Sequence, residues 1–260
     1  HAFLQRFEQR QKLFDRDRQF GVAQDQDLGY TYGKPVVCKR RDGRWVVVFA
    51  SGYNNTGPGD GKGYLYVLDA ASGALLNKIA TGAGSTANPG GLAQINAWVD
   101  SAIDNTASRF YGGDLLGNVW RFDIDDQIPP AGKEAFLLAT VASSSGAQPI
   151  TTRPELSVIQ NGSISIPLVT VATGKYLGLS DLTDTSIQSI YSFKDELTAT
   201  GLGNLRNNTA MVQQTLEQKT DGTGRSVSQQ PVDWRDLPGG TLQITAMAFD
   251  VDDKVLAQRQ

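Results

Sequence analysis

The chain has 260 residues, 40% hydrophobic and 20% charged, with a formal net charge of -3. That balance suits one or two globular domains with a sizeable core, and the absence of a basic footprint argues against a nucleic-acid partner. A lone histidine (His1) and a lone cysteine (Cys38) exclude multi-histidine metal centres, a buried histidine base and an intrachain disulfide, and no apolar run reaches the roughly eighteen residues of a membrane-spanning segment.

The first stretch, Phe3 to Phe20, is rich in helix formers, and Leu4, Phe7 and Phe14 fall near one face at helical spacing. Residues 1–26 are therefore expected to form a short N-terminal helical extension docked on the main domain.

From Asp27 the pattern becomes one of strands. "GKPVVCKRRDGRWVVVFASGY" is two apolar runs joined by Arg41-Asp42-Gly43, a hairpin signal. After the polar loop Asn54 to Lys62, "YLYVLDAASGALLNKIATG" adds a strand, a turn at Ala71-Ser72-Gly73 and another strand. Cys38, following Pro-Val-Val, reads as a buried small hydrophobe, with no internal histidine to activate it.

This unit recurs. An apolar strand ends in glycine, a polar loop follows, and an aromatic-rich strand ends in an acid. The copies are "WVVVFASGY" with "YLYVLD", "RFYGGD" with "VWRFD", and "PLVTVATGKYLG" with "IYSFKD", with a fainter fourth closing in "ITAMAFD". Units of about forty to sixty residues, none able to bury both faces alone, point to propeller blades, with a β-sandwich as the competing architecture. The fold class expected is all-β and propeller-like, partial or modified, with blades of antiparallel strands. Residues 27–198 hold the blades. Residues 199–260 read as a polar excursion, partly helical around "NTAMVQQTLEQK", followed by a divergent final blade.

Five blocks in order carry a family resemblance: "DLGYTYGKPVV", "WVVVFASGYNN", "GYLYVLDAASGALL", "YGGDLLGNVWRFD" and "GKYLGLSDLTDTSIQSIYSFKD". Over Asp27 to Asp195 the chain resembles the C-terminal β-propeller of PilC/PilY-type proteins, the type IV pilus biogenesis factors and tip adhesins of Gram-negative bacteria. The resemblance implies a non-enzymatic protein of the cell surface or pilus tip, exported through the periplasm. It would support pilus extension and twitching motility, bind minor pilins of the tip complex, and adhere to host or abiotic surfaces.

The resemblance also implies a calcium loop before "YGGD", with ligands at its first, third, fifth, seventh and ninth positions. Here Asp100 and Asp104 supply carboxylates at the first and fifth, and Thr106 a carbonyl at the seventh. Ala102 and Ser108 replace the ligands expected at the third and ninth. Asn105 stands where a sharp turn favours glycine, and Ile103 suggests that the loop packs by other means. Calcium wants six to eight oxygens, so the loop reads as vestigial, with a weak site filled at millimolar calcium as the alternative.

Other signals have plain readings. "DIDD" (Asp123 to Asp126), "DVDD" (Asp250 to Asp253) and "SDLTD" (Ser180 to Asp184) suit solvated acids and turn caps. The glycine-rich Thr81 to Gly91 lacks the ending of a phosphate loop. Trp45 and Trp120 read as core packing, ahead of the alternative in which all four tryptophans, Trp98 and Trp234 included, line a ligand cavity. The functional alternative is a quinoprotein-like dehydrogenase propeller, which the missing internal histidines, the depleted acidic loop and the short length disfavour. A purely structural fragment is the third reading.

Overall fold

The computed structural model describes residues 25–132, 134–143, 146–161, 164–231 and 241–246. The helix expected over Phe3–Phe20, Trp234 and the acids Asp250 to Asp253 lie outside them.

The first sheet contains β1 (Val36–Lys39), β2 (Trp45–Ala50), β3 (Lys62–Asp69) and β4 (Leu75–Gly84), antiparallel and in sequence order. The second repeats that meander with β5 (Ile95–Trp98), β6 (Arg109–Gly113), β7 (Asn118–Asp123) and β8 (Ala135–Thr140). A small ladder of β9 (Ala142–Ser143) and β10 (Gly146–Ala147) leads to the third sheet. That sheet comprises β11 (Glu155–Asn161), β12 (Ile164–Ala172), β13 (Gln188–Lys194), β14 (Met211–Gln218), β15 (Arg225–Val227) and β16 (Thr241–Ala246). Its spatial order is β11-β12-β13-β16-β14-β15, with β14 and β16 parallel. Helical structure among the described residues is confined to two 3-10 turns, Leu179–Thr183 and Leu205–Asn207.

The architecture is an all-β partial propeller: three sheets packed face to face that do not close into a ring. Each repeated pair in the sequence is a central strand pair, β2/β3, β6/β7 and β12/β13. One apolar layer lies between the first two sheets, built from Cys38, Val46, Val48, Leu65, Phe110 and Phe122 among others. A second lies between the second and third sheets, around Tyr111, Val119, Leu138, Val171, Tyr191 and Phe193. Alternation decides which residues enter it, because successive side chains on a strand point to opposite faces.

The turns follow their chemistry. Gly43 adopts φ 86 between β1 and β2, a left-handed conformation that costs glycine little. Gly113 is fixed by packing instead: a Cβ there would come within 2.3 Å of Ile150. In all three sheets the acid ending the aromatic strand bends back to hold the next turn. Asp69 accepts N–H bonds from Ala71 and Ser72, Asp123 from Asp125, Gln127 and Ile128, and Asp195 from Leu197. The "strand–acid" repeat is thus a turn-capping repeat.

Three expectations are corrected. The stretch around Asn208–Lys219 is not helical: Met211–Gln218 is strand β14, with Gln214 buried and its amide bonded to Gln230 and Ser228. A hydrogen-bonded glutamine can occupy a buried strand position that composition would assign to a loop. The fourth repeat opens no new blade either, since β16 joins the third sheet between β13 and β14. Trp45 is 46% exposed, with the Lys39 ammonium 5.4 Å from its ring centre. In "WVVVFA" both faces are apolar, and Val46, Val48 and Ala50 take the core face.

Candidate functional site

The β5–β6 connection carries the acidic residues singled out in the sequence. Asp100 and Asp104 are both exposed and Thr106 is half-buried. Asp104 accepts hydrogen bonds from the Thr106 backbone N–H (3.2 Å) and hydroxyl (2.8 Å). Hydrogen bonds from the Thr106 and Ser101 hydroxyls hold its carboxyl below the ordinary aspartate range. The Thr106 carbonyl already accepts N–H bonds from Asp100 (2.8 Å) and Ser101 (3.3 Å). Asn105 adopts φ 61, the left-handed turn expected of it, and its side-chain amide donates to the Val37 carbonyl.

The neighbouring positions are spoken for as well. Ser108 is buried and donates to Asp125, which also pairs with Arg40 at 2.7 Å. Ala102 brings no ligand atom. Two carboxylates and one twice-bonded carbonyl fall short of the six to eight oxygens that calcium takes, so this donor set fits a hydrogen-bonded turn. Ile103 is 101% exposed, so among the described residues it gives the loop no packing of the kind its apolar side chain suggested.

At the other end of β6 the loops converge. A cleft of about 500 Å³ is lined by Asn88 and Pro89 from the β4–β5 connection, Leu115 from the β6–β7 turn, Gln148 before β11, and Lys175 and Gln188 flanking the β12–β13 loop. Four large apolar side chains stand in solvent on that loop: Tyr176, Leu177, Leu179 (86% exposed) and Leu182. One carboxylate holds them in place. Asp181 accepts from the backbone N–H of Leu177 (2.8 Å) and Gly178 (3.0 Å) and pairs with Lys175 Nζ at 3.1 Å.

Ser180 to Asp184 forms a turn capped by its own acids, as those residue types suggest. The apolar residues around it carry no motif that marks them out in the sequence. The available signal was four large apolar residues between Gly174 and Thr183 with neither a twofold nor a helical period.

Acids near the cleft are structural. Asp114, ending "YGGD", accepts from the backbone of Leu116 and Asn118 and from the Trp120 indole, closing the β6–β7 turn. Burial raises its carboxyl pKa above the ordinary value despite those bonds. Trp120 is accordingly a core residue. Among the described residues no group of three or more His, Cys, Asp or Glu is arranged to hold a metal ion, and no helix is long and apolar enough to cross a membrane.

With this geometry in hand, similarity to known proteins is specific. A family model described as the PilY1 beta-propeller domain matches residues 11–229. The type IV pilus biogenesis factor PilY1 of Pseudomonas aeruginosa PAO1 is 33% identical over 257 residues, covering 86% of this chain and 22% of that protein. A PilY1 homolog of Xylella fastidiosa is 26% identical over 243 residues, covering 87% of this chain and 16% of that protein. The crystal structure of the P. aeruginosa PilY1 C-terminal domain superposes with a TM-score of 0.69 at 29% identity, covering 87% of this chain and 52% of that one. The chain thus spans about a fifth of the length of these curated relatives.

Proposed function

The chain belongs to the PilY1 β-propeller family, and from that premise we propose that it acts as a non-enzymatic module of a type IV pilus biogenesis factor at the cell surface. In this reading the three sheets are a rigid support. The loops gathered around the cleft meet minor pilins of the pilus tip or a surface outside the cell.

The observation that supports this reading is the β12–β13 loop. Large apolar side chains in water mark an interaction surface when they cluster. Their backbone is already held by Asp181, so covering them costs little further ordering. The acidic β5–β6 loop enters the reading as a turn that keeps its shape without calcium.

In the bacterium that makes this protein, changing Leu179 and Leu182 together to serine in the chromosomal gene should reduce the pili recovered by shearing. The amount and melting temperature of the protein should stay unchanged. Normal piliation in that variant would remove the loop from the proposal. Normal piliation after deletion of codons 25–246 would remove the pilus role itself.

A further inference from the structure

Arg109 opens β6 at the base of the β5–β6 hairpin, directly opposite Trp98 on β5 and Asp123 on β7. Its guanidinium carbon lies 4.6 Å from the Trp98 ring centre and 6.0 Å from that of Tyr111. The residue is only 6% exposed, and its Nε is buried without an acceptor. Among the described residues no side chain or carbonyl accepts a hydrogen bond from this guanidinium, and no acid forms an ion pair with it.

The reason lies with the neighbouring acids. Asp123, which the register places to pair with Arg109, turns instead onto the backbone of Asp125, Gln127 and Ile128. Asp195, the buried acid beside Tyr111, is taken by Arg121, the Tyr111 hydroxyl and the Leu197 N–H. A permanently charged group is therefore almost wholly buried, its Nε without an acceptor and its faces against aromatic rings. Ring faces attract the cation but do not satisfy its in-plane N–H groups. A buried cation in that condition is costly until an anion reaches it.

We infer that Arg109 is the anion-binding group of a carboxylate site at the base of the β5–β6 hairpin. The planar fork of a guanidinium matches the two oxygens of a carboxylate. Half-buried Trp98, with its ring against the guanidinium, gives the pair an apolar floor. A doubly charged phosphate suits the place less. Arg121 is already engaged, and Asp123 and Asp195 put negative charge nearby. The carboxylate can come from a small free acid or from an aspartate or glutamate on a polypeptide.

The test uses the side-chain Nε–H resonances of the arginines in the intact chain, with the Arg109 signal assigned by its absence from R109K. Sodium acetate, at ionic strength matched with chloride, should shift that resonance saturably and raise the melting temperature. The rise should be smaller in R109K, which keeps the charge and loses the fork, and absent in R109M. A short peptide with one aspartate, run against its asparagine twin, separates the sources. If it saturates about tenfold below acetate the ligand is carried on a polypeptide, and if it matches acetate the ligand is a small acid. An unmoved Arg109 resonance, an equal acetate response in R109M, or tighter binding of inorganic phosphate overturns the inference. If R109M does not fold, the wild-type titration decides.

Discussion

Asp195 accepts a hydrogen bond from Arg121 at 2.7 Å across the junction of the second and third sheets, with side chains 1% and 2% exposed. Tyr111 donates to the other carboxylate oxygen at 2.7 Å, and Arg121 also reaches the carbonyls of Pro129 and Thr198. The Phe136 ring lies 4.6 Å from the Arg121 guanidinium. Removing one partner leaves the other charge buried and alone. Asp195→Ala should therefore cost about 3–5 kcal/mol of unfolding free energy, and Tyr111→Phe about 1 kcal/mol. Denaturant titration checks both, and a cost below roughly 1 kcal/mol for Asp195→Ala would mean that solvent reaches Arg121.

The central strands were legible because their sequence repeats a physical unit. Asp69, Asp123 and Asp195 cap equivalent turns, so glycine, aromatic strand and acid recur together. Less visible was anything decided between faces or by distant partners. Trp45 and Val46 are both apolar, and only the packing of the second sheet makes Val46 the core residue. Strand β14 hides behind glutamines that become acceptable in a strand through bonds to residues fourteen to sixteen positions away. The candidate sites divide the same way. The left-handed turn at Asn105 and the thin donor set at Asp100 and Asp104 follow from residue types. The isolation of Arg109 does not, because sequence places Asp123 where an ion pair is expected and the turn after β7 takes its carboxylate.

Acid should loosen the seam between the first two sheets. Burial alone would raise the Asp125 pKa, but hydrogen bonds from Ser108 and Arg40, with the Arg40 charge, outweigh it and hold it below the ordinary 3.8. A group depressed in the folded state stabilises above its unfolded pKa and loses that contribution as pH falls through the folded value. The stability difference between wild type and Asp125→Asn should thus be constant above about pH 5 and shrink below pH 4. A difference that stays flat down to pH 2 would contradict the Arg40–Asp125 assignment.

Cys38 should behave as an inert core residue. Burial, with the charge of Asp125, pushes its thiol up to about 11, and its Sγ lies 3.5 Å from the Ala107 carbonyl. The thiolate is the reactive form, so a disulfide reagent near pH 8 should label the native chain slowly and the denatured chain rapidly. The native rate should rise in step with unfolding as denaturant is added. Rapid labelling of the native state would place Cys38 at the surface.

The acidic loop makes a calorimetric prediction. Chelator-stripped protein should give no heat with micromolar calcium, and Asp104→Ala should behave identically in that titration. Its effect should be confined to local order, because the exposed Asp104 carboxylate bonds to Thr106 and Ser101 within its own loop. Saturable micromolar binding lost in Asp104→Ala would show that water or further oxygens complete a shell around Asp100 and Asp104.

The apolar β12–β13 loop should depend on Asp181 for its shape and on nothing else so strongly. The N–H groups of Leu177 and Gly178, then the Lys175 charge, hold this carboxyl below its ordinary pKa, so it remains an acceptor well into the acid range. Asp181→Ala removes both backbone anchors and frees Lys175. Because the 3-10 turn Leu179–Thr183 buries no residue of its own, that loss should open the loop without unfolding the sheets. Chymotrypsin should then cut at Tyr176, Leu177 or Leu179 at least several-fold faster, while the global denaturation midpoint stays put. Piliation should fall in Asp181→Ala about as far as in the Leu179 and Leu182 variant if the partner needs the loop already formed. Should the alanine variant be cut faster yet assemble pili normally, the apolar side chains are recognised one by one and their prior arrangement is irrelevant.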